Sequence, residues 1–264
     1  MLRHDPASVA VSGPGTSVVA MRVLAFAAVK GGVGKTTAAV NVAVEAANSG
    51  ARTLIWDLDP QGATCHLLGI DVDLKRPASQ IPFRKRPLHR DAVKSSVKRL
   101  SVIPADMSLR NLGLELEAKK APKRRLARAL DRIAEKFDVV ILDLPAGIDL
   151  AVESALQASG TMVVPIVPST LSVRSFDQFR EFAAADRRLG KRQLLGFVSM
   201  LEPTRHRQQD FYHELRDSRD DVLETWIPAT VEVERACDRR LPVSIAFPGG
   251  RAAAAYKALW EELA

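Results

Sequence analysis

Residues 23–37 read Val23-Leu24-Ala25-Phe26-Ala27-Ala28-Val29-Lys30-Gly31-Gly32-Val33-Gly34-Lys35-Thr36-Thr37. The first seven are an unbroken apolar run, the pattern of a strand buried on both faces. The glycines that follow let backbone N–H groups approach anionic oxygens closely, through turns that a Cβ obstructs. A helix opening at Thr36 adds the free amides of its first turn. Lys35 is then placed to reach the β and γ phosphates of ATP, and the Thr36 hydroxyl to ligate Mg²⁺. In the common form of this loop, G-x-x-x-x-G-K-[ST], a glycine stands where this chain has Val29, and Lys30 follows it. A merely basic turn is the competing reading, and two lysines in register between a strand and a helix speak against it.

Working outward, short apolar runs alternate with helical stretches from Met21 to the end. That alternation predicts an α/β fold: a single doubly wound, mostly parallel sheet with helices on both faces. The expected strands are Val23–Val29, Thr53–Trp56, Val102–Ile103, Val139–Leu142, Met162–Val167, Leu194–Met200 and a short one ending near Ile227. The expected helices are Thr36–Ser49, stopped by Gly50, then Arg124–Lys136, Val173–Leu189, Gln208–Asp217 and Arg251–Leu263. Leu74–Leu100 holds three prolines and little periodicity, and no element is read there beyond the strand at its end. Residues 1–20, rich in small side chains, Pro and Gly, are expected to be a flexible tail, with 21–264 as one ATPase domain and Met1 or Met21 as its start.

Two strands end in carboxylates. Asp57-Leu58-Asp59-Pro60-Gln61-Gly62-Ala63-Thr64 follows the second expected strand, and Val139-Val140-Ile141-Leu142-Asp143 delivers a third acid. Ligands of open α/β sheets sit at the carboxyl ends of the strands, so these acids fall beside the phosphate loop. Asp143 has the position that a Mg²⁺ site of a phosphate-loop enzyme needs. The alternative for Asp57 and Asp59 is a turn cap formed with Pro60 and Gly62.

Lys30 with the Gly-Gly-x-Gly-Lys-Thr that follows it resembles the deviant phosphate loop of the ParA and MinD superfamily, and Asp57 to Gly62 resembles the ParA D-x-D-P-Q-G motif. Val167 to Arg174, and Ile227-Pro228 with Ala236 and Pro242, resemble later ParA segments, while Leu144-Pro145-Ala146-Gly147-Ile148-Asp149 looks more like MinD. The resemblance implies that Gly31, Gly32, Val33, Gly34, Lys35, Thr36 and Thr37 hold the triphosphate. Thr36 and Asp143 would hold the metal with Asp57 in its neighbourhood, Asp59 would orient the attacking water, and Pro228 would contact the base. Lys30 would reach the nucleotide of a second subunit. It further implies an ATP-dependent homodimer that binds double-stranded DNA without sequence preference, an adaptor or cargo protein that stimulates a weak ATPase, and a cytoplasmic, nucleoid-associated protein. Arg205, Arg207, Arg235, Arg239 and Arg240 are the candidate DNA contacts, with a solvated surface as the alternative for each.

Net charge is +7, compatible with a polyanionic partner. Nine basic residues against one acid lie between Lys75 and Arg99, and seven against one between Lys119 and Arg132. A solvated loop and a solvated helix face explain these runs equally well. Cys65 and Cys237 are too far apart in sequence to suggest a zinc site or a disulfide framework, and no apolar run is long enough to span a bilayer, so no stable membrane insertion is expected. Three other readings remain. A MinD-like membrane-cycling ATPase needs a basic amphipathic C-terminal helix, whereas this chain ends with Glu261 and Glu262. An iron–sulfur reductase needs clustered cysteines, and a scaffold or small-molecule kinase would not release phosphate without an acceptor.

Overall fold

Along β1 (Arg22–Ala28), Leu24 and Phe26 join one apolar cluster and Val23, Ala25 and Ala27 another, and all five are buried. A period of two with both faces apolar makes a strand that needs cover on each side. The computed structural model describes residues 21–187 and 189–264; the tail expected over 1–20 lies outside them. The remaining strands are β2 (Thr53–Asp57), β3 (Val93–Lys94), β4 (Leu100–Ile103), β5 (Val139–Ala146), β6 (Thr161–Ile166), β7 (Gln193–Leu201) and β8 (Val222–Pro228). They form one sheet in the order β3-β4-β2-β5-β1-β6-β7-β8. All neighbours pair in parallel except β3 with β4.

The helices are α1 (Lys35–Asn48), α2 (Ala63–Leu67), α3 (Leu112–Glu117), α4 (Arg125–Asp131), α5 (Leu150–Ala158), α6 (Thr170–Ala185), α7 (His206–Asp217), α8 (Val231–Asp238), α9 (Val243–Ala246) and α10 (Arg251–Leu263). Leu24, Phe26, Ile55, Ile141, Val163 and Phe197 pack against α1 and α10 on one face of the sheet. Leu54, Trp56, Val140, Leu142 and Val164 pack against α3 to α6 on the other. Every residue of α1 from Ala38 to Ala47 is buried, because the helix lies between the sheet and α10. One polar residue in that stretch, Asn41, donates to the Thr37 carbonyl at 2.8 Å and accepts from the Val243 amide at 2.8 Å, which ties α1 to α9.

The expected strands are present; β2, β4, β5, β7 and β8 run longer than read, and β1 and β6 start and stop one residue earlier. Arg124–Lys136 is a shorter helix than its spacing predicts. After Asp131 the chain tightens into i→i+3 bonds, Ile133 to Leu130 and Lys136 to Ile133, and Ile133 still reaches the core. Val173–Leu189 starts at Thr170, where the Ser169 hydroxyl caps it by accepting from the Ser172 amide, and its helix ends at Ala185. The segment with no pattern, 74–100, holds two 3₁₀ turns, 78–83 and 88–91, and the edge strand β3.

From β1 the chain crosses through α1 to β2, past β5, and from β5 it crosses through α5 to β6, past β1. The connections leave in opposite directions at β1, and that divergence opens a crevice outside its carboxyl end. Leu259 of α10 is fully buried in the layer that holds α1 against the sheet. Leu259→Ala is expected to cost about 2–5 kcal/mol of stability in urea unfolding followed by circular dichroism. A cost under about 1 kcal/mol would mean that α10 does not close this layer.

Candidate nucleotide site

Residues 29–34 make the turn from β1 to α1. Gly32 has φ 77° and Gly34 φ 84°, left-handed conformations that an L side chain rarely adopts. At Gly34 a Cβ would also stand 2.9 Å from the Ser199 Oγ near the end of β7, so a substitution there would have to turn that hydroxyl aside as well as strain the backbone. The helix that follows has no side-chain cap and no acid in its first turn. Its opening N–H groups are therefore left for an anion, in the geometry that binds phosphate.

Lys35 is buried at the start of α1. Its Nζ lies 2.6 Å from Asp143 Oδ1, 3.0 Å from Thr36 Oγ1 and 3.8 Å from Asp59 Oδ2. The Thr36 hydroxyl donates to Asp143 Oδ1 at 3.2 Å, and the Thr64 hydroxyl donates to Asp143 Oδ2 at 3.2 Å. Asp57 and Asp143 are register partners on adjacent strands, β2 and β5, and both are fully buried. Asp57 accepts from the Asp59 amide at 2.9 Å and the Thr64 amide at 3.2 Å, one with each oxygen. Asp59 Oδ1 accepts from the Gln61 amide at 3.0 Å, which leaves Oδ2 as the oxygen that faces Lys35. Asp57 and Asp59 thus do cap the turn, and that capping leaves Asp59 Oδ2 turned toward Lys35.

Burial pushes the Asp57 carboxyl up to about 8, aided by the charge of Asp143 beside it. Burial also raises Asp143, and the neighbouring Lys35 ammonium and Thr36 hydroxyl pull it partly back. A single ammonium is too little positive charge for two buried carboxyls to ionise together, and Asp57 is the one held toward its protonated form. The Thr36 hydroxyl and the Asp143 carboxylate are hard oxygen donors side by side, the donor set that suits Mg²⁺ completed by phosphate oxygens. Asp57, expected in the neighbourhood of a metal, lies beside Asp143 on the adjacent strand with both oxygens already engaged by backbone amides.

The sequence reading gives Thr64 no role, although it lies in the quoted acidic stretch, and it links Asp57 to Asp143. The signal available is a hydroxyl residue seven positions after a strand-end acid. Ser199, the other unforeseen contact, has no sequence signal, because the fold alone brings β7 to the loop. Lys30, Gly31 and Gly32 are exposed, and Val33 and Thr37 are half-buried. Pro228 ends β8 on the same rim of the sheet, three strands out from β1.

The C-terminal arginines are not a free set. Arg240 pairs with Asp71 at 2.6 Å, Arg205 with Glu202 at 2.7 Å, and the Arg239 guanidinium lies 5.0 Å from the centre of the Phe247 ring. Arg207 and Arg235 are exposed, the second beside Glu234 and Asp238.

A glycine turn between the first strand and its helix, at the switch point of a parallel sheet and with register-paired carboxylates on the two strands to one side of it, defines a P-loop nucleotide hydrolase. A family model described as AAA domain matches residues 21–193. The chain belongs to that family and, within it, to the ParA/MinD superfamily of P-loop ATPases, on the side of the ParA partition ATPases. Sporulation initiation inhibitor protein Soj of Bacillus subtilis (strain 168) is 29% identical over 248 residues, covering 92% of this chain and 98% of Soj. The structure of cobyrinic acid a,c-diamide synthase from Mycobacterium smegmatis with bound ATP analogue and magnesium has a TM-score of 0.78 at 25% identity, covering 92% of this chain and 94% of that one. MinD of Pyrococcus horikoshii, complexed with Mg-ADP, has a TM-score of 0.74 at 19% identity, covering 92% of this chain and 96% of its own, and at that identity shows the fold alone.

Lys35→Ala is expected to weaken Mg·ATP binding at least tenfold in titration calorimetry, since a charge-assisted hydrogen bond is worth about 1.5–3 kcal/mol. The substitution strips Asp143 of its cation, so folding is checked by circular dichroism, and Gly34→Ala serves as a second variant that distorts the loop and keeps the pair. Unchanged affinity in both folded variants would place the nucleotide elsewhere.

Proposed function

We propose that residues 21–264 act as a Mg²⁺-dependent ATPase of the ParA type, which closes into a dimer around ATP, binds DNA without sequence preference and uses the cycle to position a cargo. The cargo class is a plasmid, a chromosome or a protein assembly, and an adaptor protein stimulates hydrolysis. The protein would work in the cytoplasm and associate with the nucleoid when ATP is bound.

The observation that carries this reading is the contrast between the two lysines of the loop. Lys35 is buried against Asp143, whereas Lys30 is exposed and forms no ion pair among the described residues. A cation with no intrachain partner at the mouth of a phosphate site suits a role across an interface. Ile148, Leu171, Met200 and Val231 are exposed apolar side chains, and they follow or end β5, β6, β7 and β8 on the same rim. A second copy seated there would cover them.

In the hydrolysis proposed, Lys35 exchanges its carboxylate contacts for phosphate oxygens, and Asp59 Oδ2, held by the turn through its other oxygen, accepts from the attacking water. Mg²⁺ supplies charge neutralisation on the phosphates. Loss of one phosphate then removes the contact that favours the dimer, which makes dimerisation a switch driven by differential binding. Helix α10 favours this reading over the membrane-cycling one, because Tyr256, Leu259, Trp260 and Leu263 are buried and no apolar stripe is left for a lipid surface. Among the described residues no helix is long and apolar enough to cross a membrane.

Lys30→Ala is expected to bind ATP yet remain monomeric, and Asp59→Ala to dimerise with ATP and persist, with hydrolysis lowered about 100-fold or more. Light scattering run beside phosphate release separates the two variants. Wild-type protein that stays monomeric with a slowly hydrolysed ATP analogue would overturn the dimer switch.

A further inference from the structure

Positive charge is concentrated in one stretch of the chain. Residues 75–136 hold 18 Lys and Arg against 6 Asp and Glu, while the rest of the chain holds 20 against 25. The positive excess of the whole protein therefore belongs to this stretch. Residues 202–240, which contain the C-terminal arginines, hold 7 basic against 10 acidic.

The fold brings the two basic runs together. Arg132, just past α4, donates to the carbonyls of Arg84 at 3.0 Å and Lys85 at 3.2 Å, and Lys119 stands 5.3 Å from the centre of the Phe83 ring. Asp91 holds both Arg84 and Arg86 and so fixes the turn that carries Lys85 and Arg90. Lys85, Arg90 and Lys94 from the first run, and Lys120, Arg124 and Arg128 from the second, are exposed with no ion pair among the described residues. The 84–94 turn flanks the β3–β4 edge, α4 packs beside the 78–83 turn and against α5 on the helical face, and β8 with the C-terminal arginines lies at the opposite edge.

We propose that the β3–β4 edge, with the 84–94 turn and α4, is the surface on which this chain holds the phosphate backbone of duplex DNA. The choice of partner rests on the DNA-binding reading above, and the location on charge and packing alone. Arginine and lysine side chains on a helix and an anchored turn suit a rigid line of phosphates. A lipid surface is less well served, because Leu126, Ala129 and Leu130 of α4 are buried in the core and leave no apolar face to insert. The surface is complete in one copy, so ATP-driven pairing multiplies an interaction already present.

The test uses the full chain with ATP and a fluorescent duplex of arbitrary sequence, titrated at several salt concentrations. K85A, R90A, R124A and R128A combined remove four side chains that form no ion pair among the described residues. The expected result is at least a 100-fold loss of affinity near 0.1 M salt, with the slope of log affinity against log salt flattened by about 0.9 for each phosphate no longer neutralised. R90K, R124K and R128K combined should retain most of the affinity. Circular dichroism and ATP affinity check that the fold is kept, and light scattering reads the dimer switch separately. Undiminished binding by the quadruple variant would overturn the location, as would an equal loss in R207A with R235A. Failure of wild-type protein to bind duplex at low salt, or binding to anionic vesicles in its place, would overturn DNA as the partner and leave the ATP-driven dimer to stand or fall on its own measurement.

Discussion

The Lys35 ammonium sits 2.6 Å from a fully buried Asp143 carboxylate, with a second buried carboxylate, Asp57, on the neighbouring strand. Ions taken out of water are tolerated only where hydrogen bonds replace their hydration. Thr36 and Thr64 supply hydroxyls to Asp143, and the amides of Asp59 and Thr64 occupy Asp57. These donors come from the first turns of α1 and α2 and from the turn after β2. The loops around the site are thus held in place by the charges they surround, and the parallel sheet supplies the one edge at which they can meet.

The same constraint explains why α1 is so apolar. Its first residue must deliver a lysine into the charge cluster, so the helix runs directly behind the sheet and is covered again by α10. A helix enclosed on both sides has little place for polar groups: Asn41 is accommodated because both ends of its amide are bonded, whereas the buried Glu45 keeps Oε1 without a hydrogen-bond partner among the described residues.

Much of this is legible in the sequence because it is written in local chemistry. Strands β1, β2 and β5 are continuous apolar runs, and the loop's glycines, both lysines and Asp143 follow them directly. Elements held by contacts distant in sequence are not legible. Strand β3 is two residues long and exists by pairing with β4, and the 3₁₀ turns around it depend on Asp91 and on carbonyl contacts from Arg132. Helix α5 escapes the sequence reading although Asp149 caps it by accepting from the Val152 amide at 2.8 Å, a signal masked by the Pro-Ala-Gly turn just before it. The C-terminal arginines can be read one by one, but their availability depends on partners such as Asp71, 169 residues away from Arg240 in sequence. Likewise, the two basic runs are ordinary apart and become one surface only when the turn after α4 meets residues 84 and 85.

Gly34 has Ser199 behind it, close enough that a single added carbon would collide. Ser199 is itself buried on β7, two strands away from β1, and Met200 beside it has a left-handed backbone with φ 60°. The phosphate turn and β7 are therefore packed against one another at this point, although they belong to strands two apart. Variation in this lineage should be narrower at that strand position than its distance from the lysines suggests, and a bulkier residue there would show itself as a nucleotide-binding defect in an otherwise intact fold.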